Sequence, residues 1–317
     1  MTEVEKHEGS RVRIGTRGSE LARWQTNHIK ALLAEHRPDL EIEIEVITTQ
    51  GDRILASSLP SLDGKGVFTA ELETALLNGE VDIAVHSMKD VPTDYAQGLT
   101  IGAIPLRANP ADVLVSRRGF TLETLPRGAV VGTSSPRRAS QLLRNRADLN
   151  IEDIRGNVDT RIRKAYDRQG IYDAIVLAYA GLERLGRLDD VTEVLQYQQM
   201  LPAPGQGAIG VQCRNDDHSR GLLHPINDAD TELAVTAERA FLIGLGGGCA
   251  LPICALGEHH KGELRLRGRV GARDGSKQID VVKEANVRSV DEARLVGIEL
   301  AKETLAAGAG ILLNAGN

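Results

Sequence analysis

The sequence has few aromatic residues and few cysteines. Phe, Trp and Tyr make up 3% of the 317 residues, so the interior must be packed with Leu, Ile, Val and Ala. The three cysteines, Cys213, Cys249 and Cys254, are too few and odd in number for a disulfide framework. Cys249 and Cys254 also lack the C-x-x-C spacing typical of a structural zinc site. We therefore expect reduced cysteines and no metal site.

Long hydrophobic runs are also absent. No apolar stretch approaches the ~20 residues that a membrane-spanning helix needs. The N-terminal segment MTEVEKHEGSRVRIG is too polar for a secretory signal. The net charge of −6 argues against general binding to nucleic acids or membrane surfaces. We therefore expect a cytoplasmic protein whose partner is neither a nucleic acid nor a membrane.

The chain is longer than one hydrophobic core usually serves, and its patterns predict three domains. Short apolar strands alternate with helices in two successive blocks, which is typical of α/β domains. A strand at Ile209–Gln212 is predicted to return to the first sheet, and a helix over Val290–Ala306 belongs to a smaller α+β domain. We place the domains at residues 1–105 with 207–224, at 111–200 and at 229–317.

Arginine and hydroxyl residues follow predicted strands at three points, in the segments Thr16–Ser19, Gly132–Arg138 and Arg155–Arg161. A helix N-terminus binds anions readily, and arginine suits bidentate binding of carboxylate or phosphate. Residues 135–168 contain nine basic and five acidic side chains in an otherwise acidic protein. Helix capping or a solvated helix face could explain each segment alone. Three such segments together predict a small polyanionic ligand.

Lys89 and Asp90 follow the predicted strand Val81–Val85, at the edge of the sheet where ligands usually bind. A carboxylate there can transfer a proton or stabilise a positive charge, and a neighbouring lysine can tune it. The alternative is a purely structural loop aspartate.

Three glycines, Gly246–Gly248, precede Cys249 and predict a permissive loop through which a bulky group can reach the sulfur. A thiolate forms stable covalent adducts. The alternative is a buried, inert cysteine, which is our interpretation of Cys213 and Cys254. The residues alone leave both interpretations of Cys249 open.

Six segments together resemble the porphobilinogen deaminase (hydroxymethylbilane synthase) family along nearly the whole chain. They are Ile14–Ala22, Asp82–Pro92, Val131–Arg138, Arg155–Arg161, Leu201–Ala208 and Gly246–Pro252. The resemblance implies two periplasmic-binding-protein-like α/β domains that flank a cleft, and a small C-terminal α+β domain that carries the cysteine loop.

The resemblance also implies the activity. Cys249 would carry a dipyrromethane cofactor through a thioether, and four porphobilinogen molecules would be joined to it head-to-tail with loss of ammonia. Hydrolysis would then release hydroxymethylbilane for tetrapyrrole, porphyrin or haem biosynthesis. A monomeric transferase is expected, with porphobilinogen as its small-molecule partner.

Site residues are carried over by the same resemblance, with Asp90 as the catalytic residue. The implied cofactor-binding residues are Lys89, Asp90, Thr133, Ser135, Arg137, Arg138, Arg155 and Gly156, with Cys249 as the attachment point. The implied substrate-binding residues are Arg17, Ser19, Gln25, Lys65, Arg155, Arg161, Arg184 and Gln206. One departure is Ser61, where relatives often carry a lysine.

Two rival functions can be set against this interpretation. A small-anion binding protein without catalysis would share the two α/β domains, but it gives no reason for the glycines before Cys249. A nucleotide-dependent enzyme is disfavoured because Gly205–Gly210 matches G-x-G-x-x-G without a preceding strand.

Overall fold

The computed structural model describes residues 11–50, 69–248 and 251–314. They form two compact units. The first unit contains the described residues up to 107 together with 208–229, and the second contains 108–207 together with the described residues from 230 onward. The second unit thus holds both the second α/β domain and the C-terminal domain of the prediction, and the boundary between those two stays a prediction.

The strands in chain order are β1 (Arg11–Thr16), β2 (Glu41–Val46), β3 (Ile83–Ser87), β4 (Leu99–Ala103), β5 (Asp112–Val115), β6 (Val130–Gly132), β7 (Asn150–Glu152), β8 (Ala174–Ala178), β9 (Glu193–Val194), β10 (Ile209–Arg214), β11 (Ile253–His260), β12 (Glu263–Gly271) and β13 (Gln278–Asn286). The helices are α1 (Glu20–His36), α2 (Ala70–Leu77), α3 (Pro136–Asn145), α4 (Val158–Tyr166), α5 (Tyr179–Arg184), α6 (Asp217–Leu223), α7 (Ala229–Gly244), α8 (Val290–Ala306) and α9 (Ala309–Asn314).

The described strands of the first unit form one sheet in the order β2-β1-β3-β10-β4. Strand β1 is parallel to β2 and β3, whereas β10 is antiparallel to β3 and β4. Both faces are apolar: Ile14 and Val85 pack with Ile29 of α1, and Ala84 packs with Leu72 of α2 on the other side. The carboxyl ends of β1 and β3 therefore lie at one edge of the sheet, between two helices.

The sheet of the second unit repeats this arrangement. Its described strands run in the order β7-β6-β8-β5-β9, with β6 parallel to β7 and β8 and with β5 antiparallel to β8 and β9. In each sheet the fourth strand of the order, β10 or β5, comes directly after the chain has crossed from the other unit. The two sheets therefore share one topology, and each is completed by a strand that enters from elsewhere in the chain.

The C-terminal part of the second unit is an antiparallel sheet, β11-β12-β13, covered by helices. Phe241 of α7 and Leu300 of α8 pack with Leu266 of β12 in its core. This part contacts the second sheet region directly, because the Ala255 N–H donates to the Pro202 carbonyl at 3.1 Å.

The predicted fold class, two α/β sheets with a small C-terminal α+β part, is confirmed. The predicted return of Ile209–Gln212 to the first sheet is also confirmed, since these residues lie in β10. Strand β4 was not predicted, because its short sequence LTIGA contains a glycine and has no clear alternation. It forms a strand by pairing with β10, which lies far along the chain, and no local pattern reveals such a contact.

No helix among the described residues is long and apolar enough to cross a membrane.

The contact between α7 and α8 depends on Gly297. A Cβ atom at this position would lie 2.3 Å from the Ala237 carbonyl oxygen and 2.7 Å from the Ala240 Cβ. We expect Gly297→Ala to lower the free energy of unfolding by about 2 kcal/mol, although alanine favours helices by about 1 kcal/mol over glycine. Chemical denaturation measures the change.

Gly221→Ala is the matched control. Gly221 also lies inside a helix, α6, but a Cβ atom added there would have nothing within 4 Å. This variant should be neutral or stabilised by about 0.5 kcal/mol. Equal effects at the two positions would show that close helix packing does not govern this contact.

Candidate active site

A pocket lies in the first unit, where β1 and β3 end. Its lining comprises Arg17, Ser19, Leu21, Ala22, Gln25, Thr69, Val85, His86, Ser87 and Asp90. The loop after β1 leads directly into α1, and a single 3-10 turn, Met88–Asp90, follows β3. The structure thus brings together four of the predicted residues, Arg17, Ser19, Gln25 and Asp90.

Asp90 is exposed at the end of the 3-10 turn. Among the described residues, no hydrogen bond or ion pair engages its carboxylate. Lys89 beside it is half-buried. The position leaves the Asp90 oxygens accessible to a molecule in the pocket.

Ser19 and Gln25 already have partners in the protein. The Ser19 hydroxyl accepts a hydrogen bond from the Ala22 N–H at 3.3 Å and so caps α1. The buried Gln25 amide donates to the Ser87 hydroxyl at 2.9 Å. Ser19 therefore serves as the helix cap that its sequence context also allowed, and the substrate-binding role of both residues stays a prediction.

His86 is buried at the back of this pocket. Its Nε2 lies 3.1 Å from Oε1 of Gln212 on β10, and the Gln212 amide nitrogen donates to Oε1 of Glu73 on α2 at 3.0 Å. Burial lowers the pKa of His86 to about 4, and the charge of Arg17 acts in the same direction, against the effect of the hydrogen bond with Gln212. His86 is therefore neutral at physiological pH.

In the second unit, the loops after β6 and β7 are tied together. The Ser134 hydroxyl donates to the Ile154 carbonyl at 2.9 Å and accepts from the Ile154 N–H at 3.1 Å. Ser135 precedes α3, but its hydroxyl makes no capping hydrogen bond with that helix. The predicted residues Thr133 and Ser135 therefore lie beside the loop that contains Arg155.

That second loop contains Arg155 and Gly156, and Arg161 follows it within α4. Arg155 is exposed, whereas Arg161 donates from Nε to the Gly156 carbonyl at 2.8 Å. Gly156 has φ of +116°, a conformation that side chains rarely adopt, so glycine is required in this turn. Arg155 is thus left at the surface, while Arg161 is held against the backbone of the loop.

Asp112, the first residue of β5, is completely buried and binds both Arg137 and Arg138. Arg137 donates from Nη1 to Oδ2 at 2.7 Å and also to the Leu201 carbonyl at 2.7 Å. Arg138 donates from Nε and Nη2 to Oδ1 at 3.0 and 2.7 Å. Burial alone would raise the pKa of Asp112, but the two guanidinium charges outweigh it and hold that pKa far below its ordinary range.

Gln206 and Arg184 extend this cluster. The Gln206 amide donates to Asp112 Oδ1 at 3.0 Å and to the Pro110 carbonyl at 2.7 Å. Arg184 donates from Nη2 to the Gly207 carbonyl at 2.7 Å, and its burial lowers its pKa to about 10. The structure thus brings Arg137, Arg138 and Gln206 onto one carboxylate, with Arg184 bound to the next residue.

Three buried polar residues of these clusters were not predicted from the sequence: Asp112, Glu238 and His86. Glu238 of α7 is fully buried and accepts from the Gly205 N–H at 2.6 Å and from the Gly257 N–H at 2.7 Å. The sequence signal that could have revealed Glu238 was a charged residue within the apolar face of a helix. Its partners could not be inferred, because Gly205 and Gly257 lie 33 and 19 residues away along the chain.

Cys213 and Cys254 are buried free thiols. Burial raises the pKa of Cys213 to about 11 and that of Cys254 to about 12, so both thiols are protonated and poorly nucleophilic. This agrees with a structural role for both. Cys249, Lys65 and Ser61, which the sequence also singled out, lie outside the described residues.

The part of the chain that the structure describes contains no group of three or more His, Cys, Asp or Glu side chains that could hold a metal ion.

Two parts of the chain match models of one protein family. Residues 12–220 match the family described as "Porphobilinogen deaminase, dipyromethane cofactor binding domain", and residues 232–306 match "Porphobilinogen deaminase, C-terminal domain". The chain belongs to the porphobilinogen deaminase family. It is therefore related to transferases of tetrapyrrole biosynthesis, and the first match confirms dipyrromethane as the cofactor.

Curated relatives agree with this assignment. The porphobilinogen deaminase of Pelotomaculum thermopropionicum is 48% identical over 95% of the chain and 96% of its own length. The same enzyme from Brevibacillus brevis is 46% identical over 95% of the chain and 96% of its own length. The enzyme from Syntrophomonas wolfei is 45% identical over 95% of the chain and 97% of its own length.

Similarity to solved structures outside the family is weak. A nutrient binding protein from Burkholderia cenocepacia bound to methionine has a TM-score of 0.42 at 13% identity, covering 70% of the chain and 93% of that protein. The BenM effector binding domain with its effector benzoate has a TM-score of 0.40 at 15% identity, covering 68% and 90%. These scores are too low to assign a ligand.

The second unit holds several arginines, and a dipyrromethane, which carries several carboxylates, needs donors of this kind. Arg137, Arg138 and Arg184 are 5%, 6% and 8% exposed, and Arg137 and Arg138 share one carboxylate. Buried guanidinium groups are favourable only with anionic or carbonyl partners. The Ser135 hydroxyl, which does not cap α3, adds a donor at the N-terminus of that helix.

Asp112→Asn tests the charge of this cluster. We expect it to lower the free energy of unfolding of the second unit by about 3–5 kcal/mol at neutral pH, because two buried guanidinium groups lose their carboxylate. The pKa of Asp112 is lower in the folded than in the unfolded state, so its stabilisation is present above the unfolded pKa of about 4 and is lost below it. The difference between wild type and variant should therefore shrink from about pH 5 to about pH 3 in urea unfolding.

The exposed Asp217 on α6 supplies the control. Asp217→Asn should change the free energy of unfolding by less than about 0.5 kcal/mol at either pH. A wild-type-to-Asp112→Asn difference that stays constant with pH would contradict stabilisation by the carboxylate charge.

Proposed function

We propose that the chain joins four porphobilinogen molecules head-to-tail, with loss of ammonia, and releases hydroxymethylbilane by hydrolysis. Its dipyrromethane is attached as a thioether to Cys249. The observation that carries the proposal is the pocket of the first unit, in which the exposed carboxylate of Asp90 shares a lining with Arg17.

Recognition rests on carboxylates. Each porphobilinogen carries an acetate and a propionate, so every added unit brings two more negative charges that need guanidinium or hydroxyl partners. Arg17 lines the pocket of the first unit. The exposed Arg155 and the half-buried Arg161 lie in the second unit. These arginines bind substrate and product side chains, with Lys65, Ser19, Gln25, Arg184 and Gln206 in support.

Asp90 is the catalytic residue. Its accessible carboxylate accepts a hydrogen bond from the pyrrole N–H and stabilises the positive charge that develops on that nitrogen as ammonia leaves. It can also deliver a proton to the departing amine.

The cofactor is bound in the second unit, near the buried arginines Arg137 and Arg138. When bound, the dipyrromethane supplies the free pyrrole carbon to which the substrate is added. Arg137, Arg138 and Arg155 hold its carboxylates, with Thr133 and Ser135 as hydroxyl donors. Gly156 allows the loop backbone to approach the cofactor closely. Lys89 and Asp90, which lie in the first unit, are also proposed as cofactor-binding residues.

We also propose a cellular location, an oligomeric state and domain bounds for the chain. The chain acts as a cytoplasmic monomer, with no nucleic-acid or membrane partner, and its three domains span 1–105 with 207–224, 111–200 and 229–317. The net charge of −6 supports the lack of a nucleic-acid or membrane partner, and the three described sheets support three domains. Light scattering of the purified protein measures the oligomeric state, and a dimer mass would refute the monomer.

Intact mass spectrometry tests the covalent cofactor. Wild-type protein should exceed its sequence mass by two linked pyrrole units, and Cys249→Ser should lack this excess and consume no porphobilinogen. Cys213→Ser is the control, because the buried thiol of Cys213 should carry no adduct, and this variant should keep both the excess mass and the activity.

An unmodified wild-type mass that stays unchanged after incubation with porphobilinogen would overturn the proposal. Unchanged carboxylate-ligand affinity in Cys249→Ser would then favour an anion-binding protein without catalysis.

Asp90→Asn tests the catalytic carboxylate. We expect kcat for porphobilinogen consumption to fall by about 10²–10⁴-fold, with KM much less affected, because a positioned acid or base contributes on this scale. The exposed Asp217→Asn should leave both constants unchanged. A variant that keeps its cofactor mass and loses less than about tenfold in kcat would contradict the role of Asp90.

A further inference from the structure

The hydrogen bonds that link Glu73, Gln212 and His86 determine which ring nitrogen of His86 carries the proton. The Gln212 amide nitrogen lies 3.0 Å from a carboxylate oxygen of Glu73, which can only accept a hydrogen bond. The amide oxygen of Gln212 must therefore face His86, whose Nε2 lies 3.1 Å away. An amide oxygen is also only an acceptor, so Nε2 of His86 must carry the proton.

The other ring nitrogen, Nδ1, is consequently an unprotonated acceptor. Burial lowers the pKa of His86 to about 4, so the imidazole does not take a second proton near neutral pH. Among the described residues, no hydrogen bond engages Nδ1. His86 lines the same pocket as Arg17, Ser87 and Asp90.

We propose that Nδ1 of His86 accepts a hydrogen bond from the aminomethyl group of porphobilinogen, and that Gln212 and Glu73 are positioning residues that hold the required tautomer. This inference rests on the proposed function, which places porphobilinogen in this pocket with its pyrrole N–H on Asp90.

The chemistry of a neutral imidazole suits this position. An alkylammonium group has a pKa of about 10, so a base as weak as His86 orients it without removing its proton. The imidazole therefore does not compete with Asp90 for the proton of the amine, which can leave as ammonia. A cationic histidine would repel the same group.

Two substitutions separate this role from a structural one. In His86→Asn the side-chain amide reaches the position of Nδ1 and can present an oxygen there, but it is too short to reach Gln212. In His86→Gln the amide reaches the position of Nε2 and can donate to Gln212, but it offers no acceptor at Nδ1. We expect kcat/KM for porphobilinogen to fall by about tenfold or less in His86→Asn and by about 10–100-fold in His86→Gln.

If the bond to Gln212 were the purpose of His86, the order would be reversed, with His86→Gln the more active variant. Equal losses in both variants would also overturn the proposal. Intact mass is measured for each variant, so that only protein with its full cofactor mass enters the comparison.

A second measurement does not depend on turnover. In Asp90→Asn protein labelled with ¹⁵N-histidine, nitrogen NMR should show the Nε2–H tautomer of His86, identified by the loss of its signals in His86→Gln. Saturating porphobilinogen should shift the Nδ1 resonance and leave Nε2 nearly unchanged. An Nδ1–H tautomer, or an Nδ1 resonance that does not move at saturation shown by calorimetry, would overturn the proposal.

The outcomes distinguish failure of the proposed function from failure of the proposed role of His86. Wild-type protein without cofactor mass or porphobilinogen consumption would refute the proposed function itself. Active wild-type protein with the reversed order of variants would refute the role of His86 alone.

Discussion

The buried ion pair of Asp112 with Arg137 and Arg138 is the interaction on which the second unit depends. A carboxylate with no exposed surface is costly unless its charge is matched and its oxygens are hydrogen-bonded. Both conditions hold, since two guanidinium groups and the Gln206 amide surround it. Because Arg137 and Arg138 are adjacent at the start of α3, the same contact fixes the N-terminus of that helix relative to β5.

A second buried carboxylate, Glu238, acts on the same stretch of chain from the other side. It binds the Gly205 N–H, while Asp112 holds Gln206 and Arg137 holds the Leu201 carbonyl. Residues 201–207 are thereby fixed to the second sheet and to α7 at once. Helix α7 ends at Gly244, a few residues before Cys249, the proposed attachment residue, so the chain that leads to this cysteine starts from an anchored helix.

Local features of the sequence were predictable, and long-range polar pairs were not. The strand-to-helix junction at Ser19 follows from a capping residue and apolar periodicity, and the one at Ser135 follows from Pro136 at the first helical position and apolar periodicity. The partners of Asp112 are 25, 26 and 94 residues away, and His86 and Gln212 are 126 residues apart. No spacing rule connects such positions. The resemblance named Arg137 and Arg138 as site residues, but only the structure shows the carboxylate that they share.

Two aspartates illustrate how environment assigns different tasks to one side chain. Asp112 is held ionised by two buried guanidinium groups, so it cannot exchange protons near neutral pH and serves as a fixed negative charge. Asp90 is exposed at the end of the 3-10 turn that follows β3, where its oxygens are accessible to a molecule in the pocket. Acid–base chemistry needs an accessible group, and binding of a polyanion needs guanidinium groups that are held in place. The structure thus places an accessible carboxylate in the first unit and, in the second, a buried carboxylate that orients two guanidinium groups.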